Sequence, residues 1–225
     1  MQLYIGNKNY SSWSLRPWLL MTQAGIAFEE IRLRLAPEDV SAFKSTLLSI
    51  APTGRVPLLV DDGFAVWDSL AIAEYLADRF PEKGLWPADT RQRARARCLC
   101  AEMHGGFTDL RNVFPMNVEA TLPEVGARML AEKPSAARDV RRIDAMFTEA
   151  LETGEGPFLF GARFGIVDAY FAPVCSRIRT YALPVGARAQ AYVTRMLAST
   201  AFLGWERAAL AEHDFIAADE PYRQR

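Results

Sequence analysis

Two adjacent serines near the N-terminus, Ser11 and Ser12, lie at a place in the sequence where their hydroxyls could take part in chemistry. The apolar run Leu3 to Ile5 predicts a strand before them, and Leu15 to Ala24, closed by Gly25, predicts a helix after them. A polar turn between a strand and a helix directs hydroxyls, backbone N–H groups and the positive end of the helix dipole at one point. Such a turn favours an anion or a developing thiolate, although the serines could equally serve only to cap the helix.

A second candidate is the segment Arg55, Val56 and Pro57, which precedes a predicted β-hairpin. The hairpin is indicated by Asp61 to Gly63, a tight-turn sequence, followed by the apolar run Phe64 to Val66. Proline cannot donate a hydrogen bond to a sheet ladder, so its place at the head of a strand needs a reason. It is either a simple strand start or a cis bond that exposes the backbone of Val56 to a ligand.

A third candidate is the acid–hydroxyl pair Asp68 and Ser69. The pair opens a segment, Leu70 to Phe80, whose apolar residues follow the spacing of a helix. Helix capping by itself would account for the serine.

The composition narrows the classes of partner. The 225 residues include 50% hydrophobic and 24% charged residues, which is typical of a globular protein. The formal net charge is −1. The chain therefore lacks the excess of basic residues that is typical of proteins that bind nucleic acids or anionic membranes. Cys98, Cys100 and Cys175 lack metal-ligand spacing and only two histidines accompany them. We therefore expect reduced thiols and no metal site.

The beginning of the chain predicts the compartment. Met1 to Gly6 lacks the basic and long apolar regions of a secretory signal, and no later apolar run is long enough to cross a bilayer. These features predict a soluble cytoplasmic protein with no membrane partner.

The order of the segments predicts two domains. A strand pattern from Phe28 to Leu35 completes a strand–helix–strand unit with parallel strands, and a less regular helix is predicted from Pro37 to Leu48. We expect one domain over residues 1–80, a linker over 81–90 and an all-helical domain over 91–225. The predicted helices of the last part, interrupted early by Pro115, Pro123 and Pro134, are Arg91 to Val113, Ser135 to Leu151, Gly165 to Tyr181, Val185 to Leu197 and Phe202 to Glu212.

The whole chain resembles the cytosolic glutathione transferases. Four motifs in the order and separation of that superfamily carry the resemblance: Ser11-Ser12-Trp13-Ser14-Leu15-Arg16, Arg55-Val56-Pro57, Asp68-Ser69-Leu70-Ala71-Ile72 and Gly165-Ile166-Val167-Asp168. The resemblance implies an α/β, thioredoxin-like N-terminal domain that binds glutathione, followed by an all-α helical-bundle domain. It also implies a homodimer and attack of the glutathione thiolate on a small electrophilic substrate.

The double serine followed by an arginine is most similar to zeta-type and other bacterial serine transferases. The activating residue is Ser11 by the zeta pattern, or Ser12 if the distance to the arginine is counted as in delta-type enzymes. The resemblance implies that the backbone of Val56, beside cis-Pro57, binds the cysteinyl part of glutathione. It also implies that Asp68 and Ser69 bind the γ-glutamyl end. Arg55 could reach a carboxylate of the tripeptide.

The wall of the electrophile pocket is expected on the long helix after the linker, and the candidates are Met103, His104, Phe107 and Arg111. Two residues depart from the zeta pattern: Trp13 replaces a cysteine, which puts zeta-type isomerase activity in doubt, and Gly165 replaces the usual capping serine or threonine. The alternatives are a non-catalytic transferase-like binding module and a glutathione-dependent isomerase or lyase. No cysteine lies between Asn9 and Arg16, which argues against a cysteine nucleophile at the turn.

Overall fold

A small mixed sheet forms the first part of the fold. The computed structural model describes residues 1–35 and 40–224. Strands β1 (Gln2–Ile5), β2 (Glu29–Arg32), β3 (Leu58–Asp61) and β4 (Phe64–Trp67) form one sheet in the order β2-β1-β3-β4. Strands β1 and β2 are parallel and the other two pairs are antiparallel, so the predicted strand–helix–strand unit and hairpin are both confirmed.

Three helices accompany the sheet: α1 (Ser12–Ala24), α2 (Val40–Leu48) and α3 (Ser69–Arg79). Helix α1 ends at Gly25, whose φ of 64° is the left-handed conformation that glycine adopts most readily. The predicted start of the second helix at Pro37 lies outside the described residues. The strand predicted from Phe28 to Leu35 is shorter than expected, because its partner β1 ends at Ile5.

The rest of the described chain is helical apart from one isolated bridge between Phe158 and Gly161. Its helices are α4 (Thr90–Gly105), α5 (Thr108–Val113), α6 (Pro123–Glu132), α7 (Pro134–Gly154), α8 (Ile166–Tyr181), α9 (Ala187–Leu197) and α10 (Thr200–Ala211). A mixed sheet followed by a helical bundle is the predicted fold class, and the prediction is confirmed.

Two predictions about helix boundaries are wrong. The segment Arg91 to Val113 forms two helices, because Gly106 is extended and Phe107 has a φ of 55°. Pro123 and Pro134 were expected only to interrupt the helical pattern, yet each lies in the first turn of a helix. In the first turn the missing N–H of proline does not remove an intrahelical hydrogen bond.

Helix α1 packs along α8, and this contact joins the two parts of the molecule. Leu15, Leu19 and Leu20 of α1 are fully buried, and nearly every residue of α8 is buried as well. One continuous hydrophobic core therefore runs from the sheet into the helical bundle. The residues of α1 and α8 are consequently fixed relative to one another.

The start of α8 is held by Asp168, which is 2% exposed. Its carboxylate accepts hydrogen bonds from the Gly165 N–H at 2.9 Å, the Leu159 N–H at 3.1 Å and the Tyr192 hydroxyl at 3.0 Å. Gly165 has no side chain to complete a capping box, so Asp168 performs the capping alone. Burial raises the pKa of Asp168 to about 6, with the two backbone hydrogen bonds opposing the shift.

We expect Asp168→Ala to destabilise the fold by about 3 kcal/mol or more, because it leaves three donors in the core without an acceptor. Chemical denaturation measures the change. The matched control is Asp144→Ala, which removes an acceptor from the Gly186 N–H at a less buried position and should cost about 1 kcal/mol. Equal losses in the two variants would contradict the role given to Asp168.

Candidate functional site

Two clefts meet where α1 begins. Trp13, Arg55 and Val56 line both of them. The first cleft encloses about 740 Å³ including its open mouth, and its lining is completed by Thr53, Pro57, Trp67, Asp68, Ser69 and His104. The second encloses about 970 Å³ on the same basis, and its lining is completed by Tyr10, Ser11, Ser12, Leu35, Phe43, Arg111, Asn112, Pro115, Met116, Arg177 and Asp219.

The first cleft brings together Arg55, Val56, Pro57, Asp68 and Ser69, the five residues expected to bind glutathione. The Val56–Pro57 bond is cis and lies just before β3. Asp68 is the residue before α3, and its carboxylate accepts a hydrogen bond from the Leu70 N–H at 2.8 Å. The φ of Asp68 is 76°, an uncommon conformation for a residue other than glycine and one found at ligand sites.

Residues of the helical part close one end of this cleft. The Tyr170 hydroxyl lies 3.0 Å from Ser69 Oγ and 2.9 Å from His104 Nδ1. The other ring nitrogen of His104, Nε2, lies 3.3 Å from Asp68 Oδ2. His104, expected in the electrophile pocket, thus lies in the first cleft. Sequence reasoning missed Tyr170, because nothing in its local pattern separates it from the buried residues around it.

Ser11 and Ser12 line the second cleft, and their hydroxyls differ in their partners. Ser11 Oγ donates to Ser14 Oγ at 2.7 Å, and Ser14 Oγ also accepts from the Gly6 N–H at 3.1 Å. Ser12 Oγ has no hydrogen-bond partner within the described part of the chain. Ser11 precedes α1 without capping it through its side chain, which leaves first-turn N–H groups available beside the two hydroxyls.

Arg16 is buried one turn into α1, at 1% exposure. Its Nε donates to the Tyr170 carbonyl oxygen at 3.2 Å, while Nη1 and Nη2 have no hydrogen-bond partner among the residues that the structure describes. The guanidinium lies 3.9 Å from the ring centroid of Trp13 and 4.3 Å from that of Tyr170, a cation–π arrangement. Burial lowers the pKa of Arg16 to about 10, so the group stays charged at neutral pH.

Three arginines line the second cleft: Arg55, Arg111 and Arg177. Arg177 is 3% exposed, and its guanidinium donates to the carbonyl oxygens of Phe114 and Pro173. Arg111 donates to the carbonyl oxygens of Met103 and Gly106. Burial lowers the pKa of Arg177 to about 9 and also lowers the pKa of Arg111.

No carboxylate within the described residues forms an ion pair with Arg16, Arg111 or Arg177. The one acidic side chain among the described lining residues of the second cleft is Asp219, and burial raises its pKa. The second cleft is therefore electropositive next to Ser11 and Ser12.

The four residues expected in the electrophile pocket are separated by the structure. Met103 is fully buried in the core and Phe107 is 7% exposed, and neither lines a cleft. Arg111 lines the second cleft, because the break at Gly106 turns α5 away from the line of α4. Arg177 was missed by sequence reasoning, since its position on a buried helix gave no signal of a cleft.

The turn before Ser11 is held by the C-terminal segment. The Tyr10 hydroxyl donates to Glu220 Oε1 at 2.8 Å, and the same carboxylate accepts from Asn117 Nδ2 at 2.8 Å and from Arg223. Glu220 is 4% exposed. Although burial alone raises its pKa, the hydrogen bonds from Arg223 and Tyr10 outweigh that effect and lower it.

Other kinds of site find less support. Over residues 1–35 and 40–224, no three His, Cys, Asp or Glu side chains are grouped so that they could hold a metal ion. No helix in those same ranges combines the length and the apolar character needed to cross a bilayer.

Comparison with known proteins identifies the family. Residues 10–79 match the N-terminal domain of glutathione S-transferase, and residues 131–208 match the C-terminal domain. The chain is 28% identical to the maleylacetoacetate isomerase of Pseudomonas aeruginosa over 77% of this chain and 79% of that protein. It is 27% identical to the stringent starvation protein A homolog of Haemophilus influenzae over 82% of this chain and 81% of that protein.

Solved structures share the fold. A maleyl pyruvate isomerase, described as a bacterial glutathione S-transferase in the zeta class, superposes with a TM-score of 0.69 and 22% identity, over 93% of this chain and 98% of that one. Several matched structures contain bound glutathione. The chain belongs to the glutathione S-transferase superfamily. Within it the chain is a zeta-like member, as its double serine predicted.

We expect Glu220→Ala to destabilise the protein by about 2 kcal/mol, because it removes the acceptor of Asn117 Nδ2 and leaves Arg223 with Glu119 alone and Tyr10 with the Asp214 carbonyl oxygen alone. Hydrogen exchange of the backbone amides from Tyr10 to Ser12 should speed up more than exchange in α7. Glu152→Ala is the control: it breaks an exposed ion pair with Arg188 and should cost about 1 kcal/mol or less. Unchanged exchange at the turn in Glu220→Ala would show that Glu220 does not hold it.

Proposed function

We propose that this glutathione S-transferase binds glutathione in the first cleft and ionises its thiol at the start of α1, for attack on a small electrophile in the second cleft. The observation that carries the proposal is the meeting of the two clefts at Trp13 and Val56, next to Ser11 and Ser12. A thiol held at that junction would face both the activating turn and the second substrate.

The first cleft offers a partner for each part of the tripeptide. The backbone of Val56 is available to the cysteinyl part in an extended contact. Asp68 can hold the γ-glutamyl ammonium, and the first N–H groups of α3 with the Ser69 hydroxyl can hold the γ-glutamyl carboxylate. Arg55 lines both clefts and can pair with a carboxylate of glutathione.

The activation of the thiol requires a modest free energy. A thiol with a pKa of about 8.5 is a few per cent ionised at neutral pH, and lowering that pKa by about two units requires roughly 2.7 kcal/mol. A helix N-terminus supplies about 0.5 to 2 kcal/mol, and a hydroxyl that donates to a charged sulfur about 1.5 to 3 kcal/mol. The turn at α1 could therefore suffice without a general base.

The contacts of the two serines favour Ser12 as the donor to sulfur. The Ser11 proton is engaged by Ser14, whereas Ser12 Oγ has no partner among the described residues. Ser11 follows the zeta pattern, and rotation of its hydroxyl away from Ser14 would make it a donor too. Both serines therefore belong to the proposed activating turn.

We expect Ser12→Ala to raise the pKa of the bound glutathione thiol by about one unit, because a hydrogen bond to the thiolate is lost. Ser11→Ala should raise it less, and glutathione affinity should change little in either variant. Ultraviolet absorbance of the thiolate against pH measures the pKa.

Ser176→Ala is the matched control for these two variants, since it removes a buried hydroxyl of α8 that has no hydrogen-bond partner over residues 1–35 and 40–224. It should leave the thiol pKa unchanged. An unchanged thiol pKa in both Ser11→Ala and Ser12→Ala would contradict activation by hydroxyls.

The charges of the second cleft point to an electrophile that carries a carboxylate or another anionic group. Arg111 and Arg177 line the cleft and form no ion pair with a carboxylate among the described residues, although the charge of Asp139 acts favourably on Arg111, and burial makes both charges costly. An anionic substrate would compensate that cost and would be held near the thiolate.

We expect Arg111→Gln to lower kcat/KM for a carboxylate-bearing electrophile by about tenfold or more, because a charge-assisted contact is lost. For an uncharged electrophile of similar shape the change should be small. Arg97→Gln, which breaks an ion pair between Arg97 and Glu74 away from both clefts, is the control and should affect neither substrate. Equal losses of kcat/KM for the charged and the uncharged electrophile would contradict the proposal that Arg111 binds an anionic substrate.

A homodimer and a cytoplasmic location are part of the proposal. The edge strand β4 exposes Phe64, at 61%, and Trp67, at 41%, and a second copy could cover these side chains. Conjugation is favoured over isomerase activity of the zeta kind, because Trp13 occupies the position where the zeta pattern has a cysteine.

The alternative from another class is a transferase-like binding module without activity. Two measurements separate it from the enzyme: retention on immobilised glutathione, and turnover of a panel of anionic and neutral electrophiles. The proposal predicts both retention and turnover. Failure of both would favour the binding module.

A further inference from the structure

Four side chains at the end of the first cleft form a continuous chain of polar contacts across the two domains. Asp68 Oδ2 faces His104 Nε2 at 3.3 Å, His104 Nδ1 faces the Tyr170 hydroxyl at 2.9 Å, and that hydroxyl faces Ser69 Oγ at 3.0 Å. Asp68 and Ser69 are neighbours at the start of α3. His104 and Tyr170 come from α4 and α8, so the helical domain connects the two γ-glutamyl-binding residues to each other.

Counting protons fixes the direction of these contacts when His104 is neutral. An ionised carboxylate can only accept, so the ring proton lies on Nε2, toward Asp68. Nδ1 is then an acceptor and takes the Tyr170 proton. The Tyr170 oxygen in turn accepts the Ser69 proton, which leaves only lone pairs of the Ser69 hydroxyl for the cleft.

Protonation of His104 reverses the direction. Nδ1 then carries a proton and donates to the Tyr170 oxygen, and Tyr170 donates to Ser69 Oγ. The Ser69 proton is released from Tyr170 and can point into the cleft. A bound carboxylate accepts hydrogen bonds but cannot donate them. In the first arrangement Ser69 can donate to it only by breaking its hydrogen bond to Tyr170, whereas in the second arrangement the Ser69 proton is already free.

We propose that His104 is a positioning residue whose protonation, relayed by Tyr170, turns the Ser69 hydroxyl into a donor for the γ-glutamyl carboxylate of glutathione. The inference rests on the proposed function, because it specifies how the same site recognises its ligand. Binding of the tripeptide is then coupled to uptake of a proton by His104.

The surroundings of His104 fit this role. Asp68 of α3 and Tyr170 of α8 face its two nitrogens, and the Trp13 ring of α1 lies edge-on at 5.3 Å between ring centroids. Three arginines lie in the same region: Arg55 lines the same cleft as His104, Arg16 is stacked on Trp13 and Tyr170, and Arg111 lies 5.5 Å from the Trp13 centroid. Burial raises the pKa of Tyr170 to about 12, so its hydroxyl keeps its proton while a histidine titrates.

The experiment uses S-methylglutathione, whose blocked thiol removes proton release by the sulfur from the measurement. Calorimetric titrations of the full-length protein in two buffers of different ionisation enthalpy give the number of protons taken up on binding. We expect net uptake in the range where histidine side chains change charge, about pH 5 to 8. We also expect affinity to fall by about tenfold from the acidic to the alkaline end of that range, as a hydrogen bond to a charged group is lost.

Two variants distinguish the relay from a structural role. Tyr170→Phe frees the Ser69 proton at every pH, so it should abolish proton uptake and bind S-methylglutathione at alkaline pH at least as tightly as the parent protein. His104→Gln removes the ring to which the proposal assigns the proton, and it should also abolish the uptake. A structural role would instead weaken binding at every pH and leave the uptake in place.

Tyr181→Phe is the matched control, since Tyr181 is an equally buried tyrosine of α8 whose hydroxyl donates to the Pro115 carbonyl oxygen outside the relay. It should retain the proton uptake of the parent protein. Uptake that persists in Tyr170→Phe, or is absent from the parent protein, would overturn the relay. If the parent protein does not bind S-methylglutathione or glutathione at all, the proposed function itself fails, which is a different result.

Discussion

The packing of α1 against α8 is the contact on which the candidate site depends. Arg16 is at the centre of it, with its guanidinium stacked on the rings of Trp13 and Tyr170 and its Nε bonded to the Tyr170 carbonyl oxygen. Through this contact α8 fixes the rotation of α1, and therefore the direction in which the residues at the start of α1 face. The same tyrosine reaches Ser69 through its hydroxyl. One packing contact thus sets the relation between the turn at Ser11 and Ser12 and the Asp68–Ser69 end of the first cleft.

The electrostatics of the site follow from that packing. A buried guanidinium with two nitrogens that lack hydrogen-bond partners in the described part of the chain costs free energy that the surrounding fold must supply. Arg55, Arg111 and Arg177 line the second cleft and give it a positive potential near the start of α1. Helix α1 adds the positive end of its dipole at the junction of the two clefts. Both effects would favour a thiolate over a thiol if, as proposed, glutathione places its sulfur at this junction.

Much of the fold could be predicted from the sequence because its signals are local. Gly25 marked the end of α1, Asp62 and Gly63 marked the hairpin, and Asp68 marked the start of α3. The break between α4 and α5 was not predicted, because the run from Arg91 to Val113 keeps a helical pattern through Gly106. Proline gave an ambiguous signal: the same residue type that ends a helix also begins one, as Pro123 and Pro134 do.

The candidate site was only partly predictable for a related reason. The residues of the first cleft lie in short motifs, so their types and spacing were visible in the sequence. Tyr170 and Arg177 reach the clefts from a helix that is buried on nearly all sides, and their role depends on contacts with residues more than sixty positions away. His104 was predicted to line the electrophile pocket, whereas it lines the first cleft. Helix periodicity predicts which face of α4 carries His104, but it does not predict which cleft that face contacts.

The central claim is that the start of α1 makes a bound thiol acidic, and the most direct test is the pKa of glutathione bound to the unmodified protein. Ultraviolet absorbance of the thiolate, followed against pH with the protein in excess over glutathione, gives that value. We predict a pKa of about 6.5, roughly two units below that of an ordinary thiol. A bound thiol that titrates at about 8.5, as it does free in water, would contradict the account.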